Sequence, residues 1–117
     1  MLEKLGVGID IVEIKRFLNK PYDANKFFYK KIFHDSEIDT CLNRKNTAEC
    51  FAGKFAIKES VIKSISTNID FLDILISYSN SKPKVTLINN SSYAFLVSLT
   101  HETTNAVSVV ISEKLES

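Results

Sequence analysis

From Leu5 to Ile14 the chain alternates in the manner of a strand. Val7, Ile9 and Ile11 share one face, and Gly8, Asp10 and Val12 share the other. Glu13, Lys15 and Arg16 lead into a short helix ending near Pro21. Phe27, Phe28, Ile32 and Phe33 recur at helical spacing and are expected in the core. Asp35 or Ser36 is placed to cap a further helix, with Glu37 and Asp39 in its first turn, where acids suit the helix dipole. Arg44, Lys45, Asn46 and Thr47 break that pattern. The longest helix follows, starting at Asn46 or Thr47, with Glu49 close to a capping-box position.

The chain is organised around that helix. At roughly 100° per residue, Phe51, Phe55 and Ile62 fall on one face, flanked by Ala52 and Ala56. Glu59 lies about 40° from the centre of the same arc, so its carboxylate is held against the fold, with Lys58 and Lys63 on either side. Beyond a polar loop over 64–70, Leu72, Ile74, Ile76 and Tyr78 alternate as a strand, and Val85 and Leu87 as another. Ser79 to Pro83 form a hairpin connection between them. Asn89 to Ser92 mark another turn or cap. Phe95, Val97 and Leu99 begin a third strand, His101 to Asn105 turn, and Ala106 to Ile111 form a fourth. The order is an N-terminal strand, helices, then antiparallel strands. That is the α+β class, in one domain over residues 1–117.

Composition narrows the function without naming it. The chain is 44% hydrophobic and 25% charged, with a net charge of +1, so no overall field draws it to nucleic acid or to an anionic membrane. It shows no apolar signal core at its start and no apolar run long enough to span a bilayer, and a cytoplasmic protein is expected. Cys41 and Cys50 lack C-x-x-C spacing and ligand histidines, which argues against zinc. They are expected as free thiols packed like small hydrophobes.

Asp10 is a carboxylate in mid-strand, where aspartate is unfavourable. It reads either as the exposed face of an edge strand or as a metal ligand, with Gly8 leaving room beside it. Glu59 and Lys63 read either as a surface ion pair at i, i+4 or as part of a site. Asp10 and Glu59, with the flanking lysines and His101 at a strand end, suggest a magnesium site facing phosphate. Magnesium takes oxygen ligands, usually one or two carboxylates with waters and substrate phosphates.

Three segments carry a resemblance: Gly8 to Arg16, with its G-x-D-x-x-E pattern; Phe51 to Ser60, running on to Lys63 as K-E-x-x-x-K; and Val97 to His101. In order and spacing they are similar to the signatures of the holo-acyl-carrier-protein synthases, the short, single-domain type of 4′-phosphopantetheinyl transferase. The resemblance covers nearly the whole chain. It implies the fold of that family and a transfer of 4′-phosphopantetheine from coenzyme A to a serine of apo-acyl carrier protein, in the service of fatty acid biosynthesis. It further implies magnesium held by Asp10 and Glu59, and Lys63 stabilising charge on the pyrophosphate. Glu59 or a water on the metal would take the serine proton. Lys54, Lys63, Ser81, Pro83 and His101 would face coenzyme A, and Lys15 and Arg16 would meet the acidic carrier protein. Members are typically homotrimers with sites at subunit interfaces. The chain departs from the family at Lys54, where an arginine is usual, and at Ser81, where the turn usually has glycine. Two other readings stand beside this one: a different magnesium-dependent phosphohydrolase, and a non-catalytic oligomeric module that binds carrier protein.

Overall fold

Gly6 and Gly8 lie on the inward face of the first strand, β1 (Leu5–Glu13), and the long helix α4 (Thr47–Ser64) rests directly on them. A side chain at Gly8 would collide with the Ser60 carbonyl, and one at Gly6 with the Ser64 carbonyl. The space expected beside Asp10 is therefore filled by helix backbone. The computed structural model describes residues 2–90 and 92–115.

After β1 come three short helices, α1 (Lys15–Leu18), α2 (Lys26–Lys30) and α3 (Asp35–Leu42), and then α4. The strands β2 (Ile74–Ser79), β3 (Lys82–Leu87), β4 (Tyr93–His101) and β5 (Asn105–Lys114) complete the α+β order read from the sequence. All strand pairings are antiparallel. One sheet runs β1-β5-β4 and the other is the hairpin β2-β3. Asn80 and Ser81 make the hairpin turn with φ of 52° and 66°. Both positive angles match the tight turn that joins two antiparallel strands, and Ser81 holds a conformation that glycine would adopt without cost. Ser91, part of an expected turn, lies outside the described residues.

The core has two parts on either side of α4. Phe17, Tyr29, Phe33, Phe51 and Phe55 form an aromatic cluster towards the short helices. Ile57 and Val61 pack with Ile74, Ile76, Val85, Leu87 and Val110 towards the strands. Small hydroxyls join α4 to β5: Ser108 Oγ donates to the Ala56 carbonyl at 2.7 Å, and Ser112 Oγ to the Ser64 carbonyl at 2.8 Å. No helix among the described residues is long and apolar enough to cross a membrane.

Several local expectations need correction. Phe27 is 76% exposed, because α2 is one turn long and gives its inward position to Tyr29; the Lys31 ammonium covers the Phe27 ring at 4.4 Å. The N-cap of α3 is His34, not Asp35 or Ser36, and its backbone N–H donates to Glu37 Oε1 at 2.7 Å. Asn46 precedes α4 without a side-chain cap bond. Cys41 and Cys50 are joined in a disulfide rather than free, because the end of α3 and the start of α4 bring their Cα atoms to 5.4 Å.

Lys58 differs most from expectation. It points away from Glu59 into the interior and is fully buried. Its ammonium donates to Glu37 Oε1 at 2.8 Å and to the carbonyls of Ile32, Ile74 and Phe71 at 2.8, 2.9 and 3.2 Å. Glu37 Oε2 accepts from the Ile76 N–H at 2.8 Å. Replacing Lys58 by methionine should leave Glu37 buried and uncompensated, at a cost of about 3–5 kcal/mol. Combining Lys58→Met with Glu37→Leu should cost less than the first change alone. Urea unfolding of the three proteins checks this; a single Lys58→Met that leaves the midpoint in place would show that the pair does not hold the fold.

Candidate active site

Asp10 sits on the inward face of the edge strand β1, opposite Ser108 of β5, with its side chain 15% exposed. Glu59 and Lys63 lie one turn apart near the end of α4, the part of the helix that rests on the strand glycines. The Lys63 ammonium donates to Asp10 Oδ1 at 2.9 Å and to the Ile9 carbonyl at 3.2 Å. The surface pair considered for Glu59 and Lys63 is thus replaced by a bond from helix to strand.

Glu59 is half-buried, and burial raises its pKa above the ordinary carboxylate value. The neighbouring Asp10 charge raises it further, while Lys63 and Arg16 work against both. Asp10, Glu59, Lys63 and Arg16 therefore share one electrostatic neighbourhood. Arg16 is held there by its guanidinium, 4.8 Å over the Phe55 ring. Lys15 points elsewhere: its ammonium lies 3.6 Å from Glu13, and both side chains are exposed.

A second group of side chains surrounds a cleft of about 280 Å³ at the other end of α4, lined by Arg44, Lys45, Asn46, Glu49, Tyr78 and His101, with Cys50 beside them. His101 Nδ1 is 3.3 Å from Glu49 Oε2. Lys54 is buried against this region at 2% exposure, its ammonium 4.6 Å over the Tyr78 ring, with Arg44 over the same ring at 5.7 Å. Pro83 pairs with Tyr78 in the hairpin register, and Ser81 is in the turn beyond. Glu49 and Tyr78 escaped sequence reasoning. Glu49 read as a capping residue and Tyr78 as one more strand position, and neither spacing signals a cleft. Glu49 and Glu59 are ten residues apart, about 15 Å along the helix axis. One chain therefore brings Asp10, Glu59 and Lys63 together and sets His101, beside Glu49, towards the other end of the helix.

Two carboxylates, one of them bonded by an ammonium, thus stand apart from a cleft lined by cations in an α+β fold. The family model of the 4′-phosphopantetheinyl transferase superfamily matches residues 6–111, and the chain belongs to that family. It is 36% identical to the holo-[acyl-carrier-protein] synthase of Caldicellulosiruptor saccharolyticus, over 95% of this chain and 98% of that one. The holo-[acyl-carrier-protein] synthase of Helicobacter pylori, solved in complex with coenzyme A, superposes with a TM-score of 0.79 at 30% identity, covering 92% of this chain and 99% of the other. The corresponding enzyme of Bacillus anthracis gives the same TM-score of 0.79 at 28% identity, covering 93% and 96%.

Lys54 carries a pH signature of defined sign. Burial lowers its pKa from 10.5 to about 8; Glu37 opposes the shift, and Arg44 and Lys58 add to it. Between about pH 8 and 10.5 the unfolded chain binds more protons than the folded one, so the Lys54 contribution to stability improves as pH rises through that window. Below it the penalty is constant. Relative to Lys54→Met, the wild type should gain stability between pH 8 and pH 10 in denaturant titrations. A difference that stays flat with pH would refute the buried, titrating amine.

Proposed function

We propose that this chain transfers the 4′-phosphopantetheine arm of coenzyme A to a serine hydroxyl of an apo-acyl carrier protein and releases adenosine 3′,5′-bisphosphate, acting in the cytoplasm. The observation that carries this reading is the convergence of Asp10, Glu59 and Lys63 where α4 meets β1, in a chain aligned almost end to end with holo-[acyl-carrier-protein] synthases. The serine oxygen forms a bond to the β-phosphorus, and the bond from that phosphorus to the bridging oxygen breaks. The bridging oxygen leaves with the nucleotide, and the serine proton passes to a base.

Magnesium fits the residues present. Asp10 lies close enough to Glu59 for its charge to raise the Glu59 pKa, and of the two carboxylates Lys63 bonds Asp10. Two carboxylates are also the usual protein share of a magnesium site completed by substrate phosphates. Asp10 and Glu59 would hold the ion, which when bound neutralises charge on the pyrophosphate. Lys63 holds Asp10 in place and presents a cation to the same phosphates. Burial and the Asp10 charge raise the Glu59 pKa above that of an ordinary carboxylate, which strengthens it as a base, and Glu59 or a water on the metal would receive the serine proton.

The cleft of Arg44, Lys45 and His101, with Lys54 behind Tyr78, is the part we assign to the nucleotide end of coenzyme A. Arg16 presents positive charge beside the carboxylates, and the exposed Lys15 next to it, its ammonium towards Glu13, extends that charge to the side on which an acidic carrier protein would approach. A homotrimer is supported by the outer sheet face: Val7, Ile9 and Ile11 are 65, 63 and 64% exposed, with Leu96 at 71% and Ile111 at 43% beside them. So large a contiguous apolar surface marks an interface. It also lets the nucleotide cleft of one copy serve the carboxylates of another.

Incubation with coenzyme A, magnesium and apo-carrier protein should add the mass of the arm to the carrier protein. Asp10→Ala and Glu59→Ala should reduce that rate by roughly 100-fold or more while circular dichroism stays unchanged. A folded double variant that transfers at the normal rate would refute the assignment. Light scattering should give three times the 13.2 kDa chain mass. Ile9→Glu should lower the mass to that of one chain and abolish transfer; a wild type already at the chain mass would refute the trimer.

A further inference from the structure

The disulfide between Cys41 and Cys50 has no part in the reaction above, yet it borders the cleft assigned to the nucleotide. It spans nine residues of sequence, with the Cα atoms 5.4 Å apart, and closes residues 42–49 into a loop. Arg44, Lys45 and Glu49 of the cleft all belong to that loop. Its hydrogen bonds are local: the Arg44 N–H donates to the Cys41 carbonyl at 3.0 Å, the Cys50 N–H to the Asn46 carbonyl at 3.1 Å, and Thr47 Oγ1 to the Arg44 carbonyl at 3.1 Å. Residues 42–46 are exposed. The disulfide is thus the covalent tie between the two ends of the segment that carries the cations. Its two sulfurs are unequal: Cys41 is fully buried, whereas Cys50 is half-buried and lines the cleft. A small thiol can reach the Cys50 side and not the other.

We propose that Cys41 and Cys50 form a redox site, exchanging with low-molecular-weight thiols and disulfides, that sets how firmly the cleft holds the nucleotide end of coenzyme A. The proposal rests on the coenzyme reading of that cleft. In the oxidising direction the Cys50 thiolate attacks a small disulfide, forming a mixed disulfide and releasing one small thiol. The Cys41 thiolate then attacks the Cys50 sulfur, closes the protein disulfide and releases the second. Two electrons pass from the cysteines to the small disulfide, and the two cysteine protons end on the two released thiols. The closed form holds Arg44 and Lys45 near their binding positions. The open form must order them when the ligand arrives, which weakens binding. Such exchangeable pairs suit a compartment where disulfides are transient.

Wild type and Cys50→Ala are each treated with glutathione disulfide or with dithiothreitol, and the reagents are then removed. Alkylation followed by intact mass counts free thiols. Trypsin cleavage after Arg44 and Lys45 reads the loop without any ligand. Calorimetry with adenosine 3′,5′-bisphosphate, chosen because it carries no thiol, reads the cleft. Oxidised wild type should show no free thiols, resist cleavage at both sites and bind the bisphosphate about 5-fold more tightly than the reduced protein. Cys50→Ala should match reduced wild type after either treatment. Two alkylated thiols after oxidation, or equal cleavage and affinity in the two states, would overturn the proposal. Redox-dependent cleavage with no bisphosphate binding in either state would overturn the coenzyme reading of the cleft and leave the redox control of the loop standing.

Discussion

The Lys58 ammonium is the point on which the fold turns. It carries a full charge into the interior and meets four oxygens from three parts of the chain: the Ile32 carbonyl, Glu37 on α3, and the carbonyls of Phe71 and Ile74 at the entry to β2. Glu37 in turn holds the N–H groups of His34 and Ile76. Burying two charges is costly, and such a pair is tolerated only when its remaining bonds are satisfied, as they are here. The geometry also reaches the candidate site. With residue 58 fixed inward, the helix has no freedom to rotate at residue 59, and Glu59 is turned to the strand that carries Asp10.

Much of the frame was legible in the sequence. β1 and the later strands follow their period-two alternation, and the hairpin falls where Ser79 to Pro83 suggested it. Spacing misleads where a helix lacks a single wet face. α4 is buried towards the aromatic cluster, the sheet and the hairpin at once, so Lys58, read as a neighbour of Glu59, and Lys54, read through the resemblance as facing coenzyme A, are both interior in the fold. Phe27 shows the opposite case, since a one-turn helix cannot turn several aromatics inward. The cysteine pair was hidden because a separation of nine in sequence says nothing about how two helix ends meet.

The candidate site divides along the same line. Asp10, Glu59 and Lys63 were readable because they fall in motifs, although the partner of Lys63 is Asp10 rather than Glu59. The cleft at the far end of α4 was only partly readable. His101 and Lys54 came from the resemblance, but Glu49 and Tyr78 matter through position alone. Separation along the helix and the bare outer face of the sheet belong together physically. In the trimer proposed above, a second copy docked on that face would close the separation.

Gly6 and Gly8 give the carboxylate spacing an unusual independence from the rest of the protein. Helix backbone touches strand backbone there, without side chains between them, so the distance from Asp10 to Glu59 is set by main-chain contact. Core side chains can then be exchanged over evolutionary time without lengthening or shortening the gap that the chemistry needs. The tolerance has a limit, since drift at either glycine would change the gauge itself.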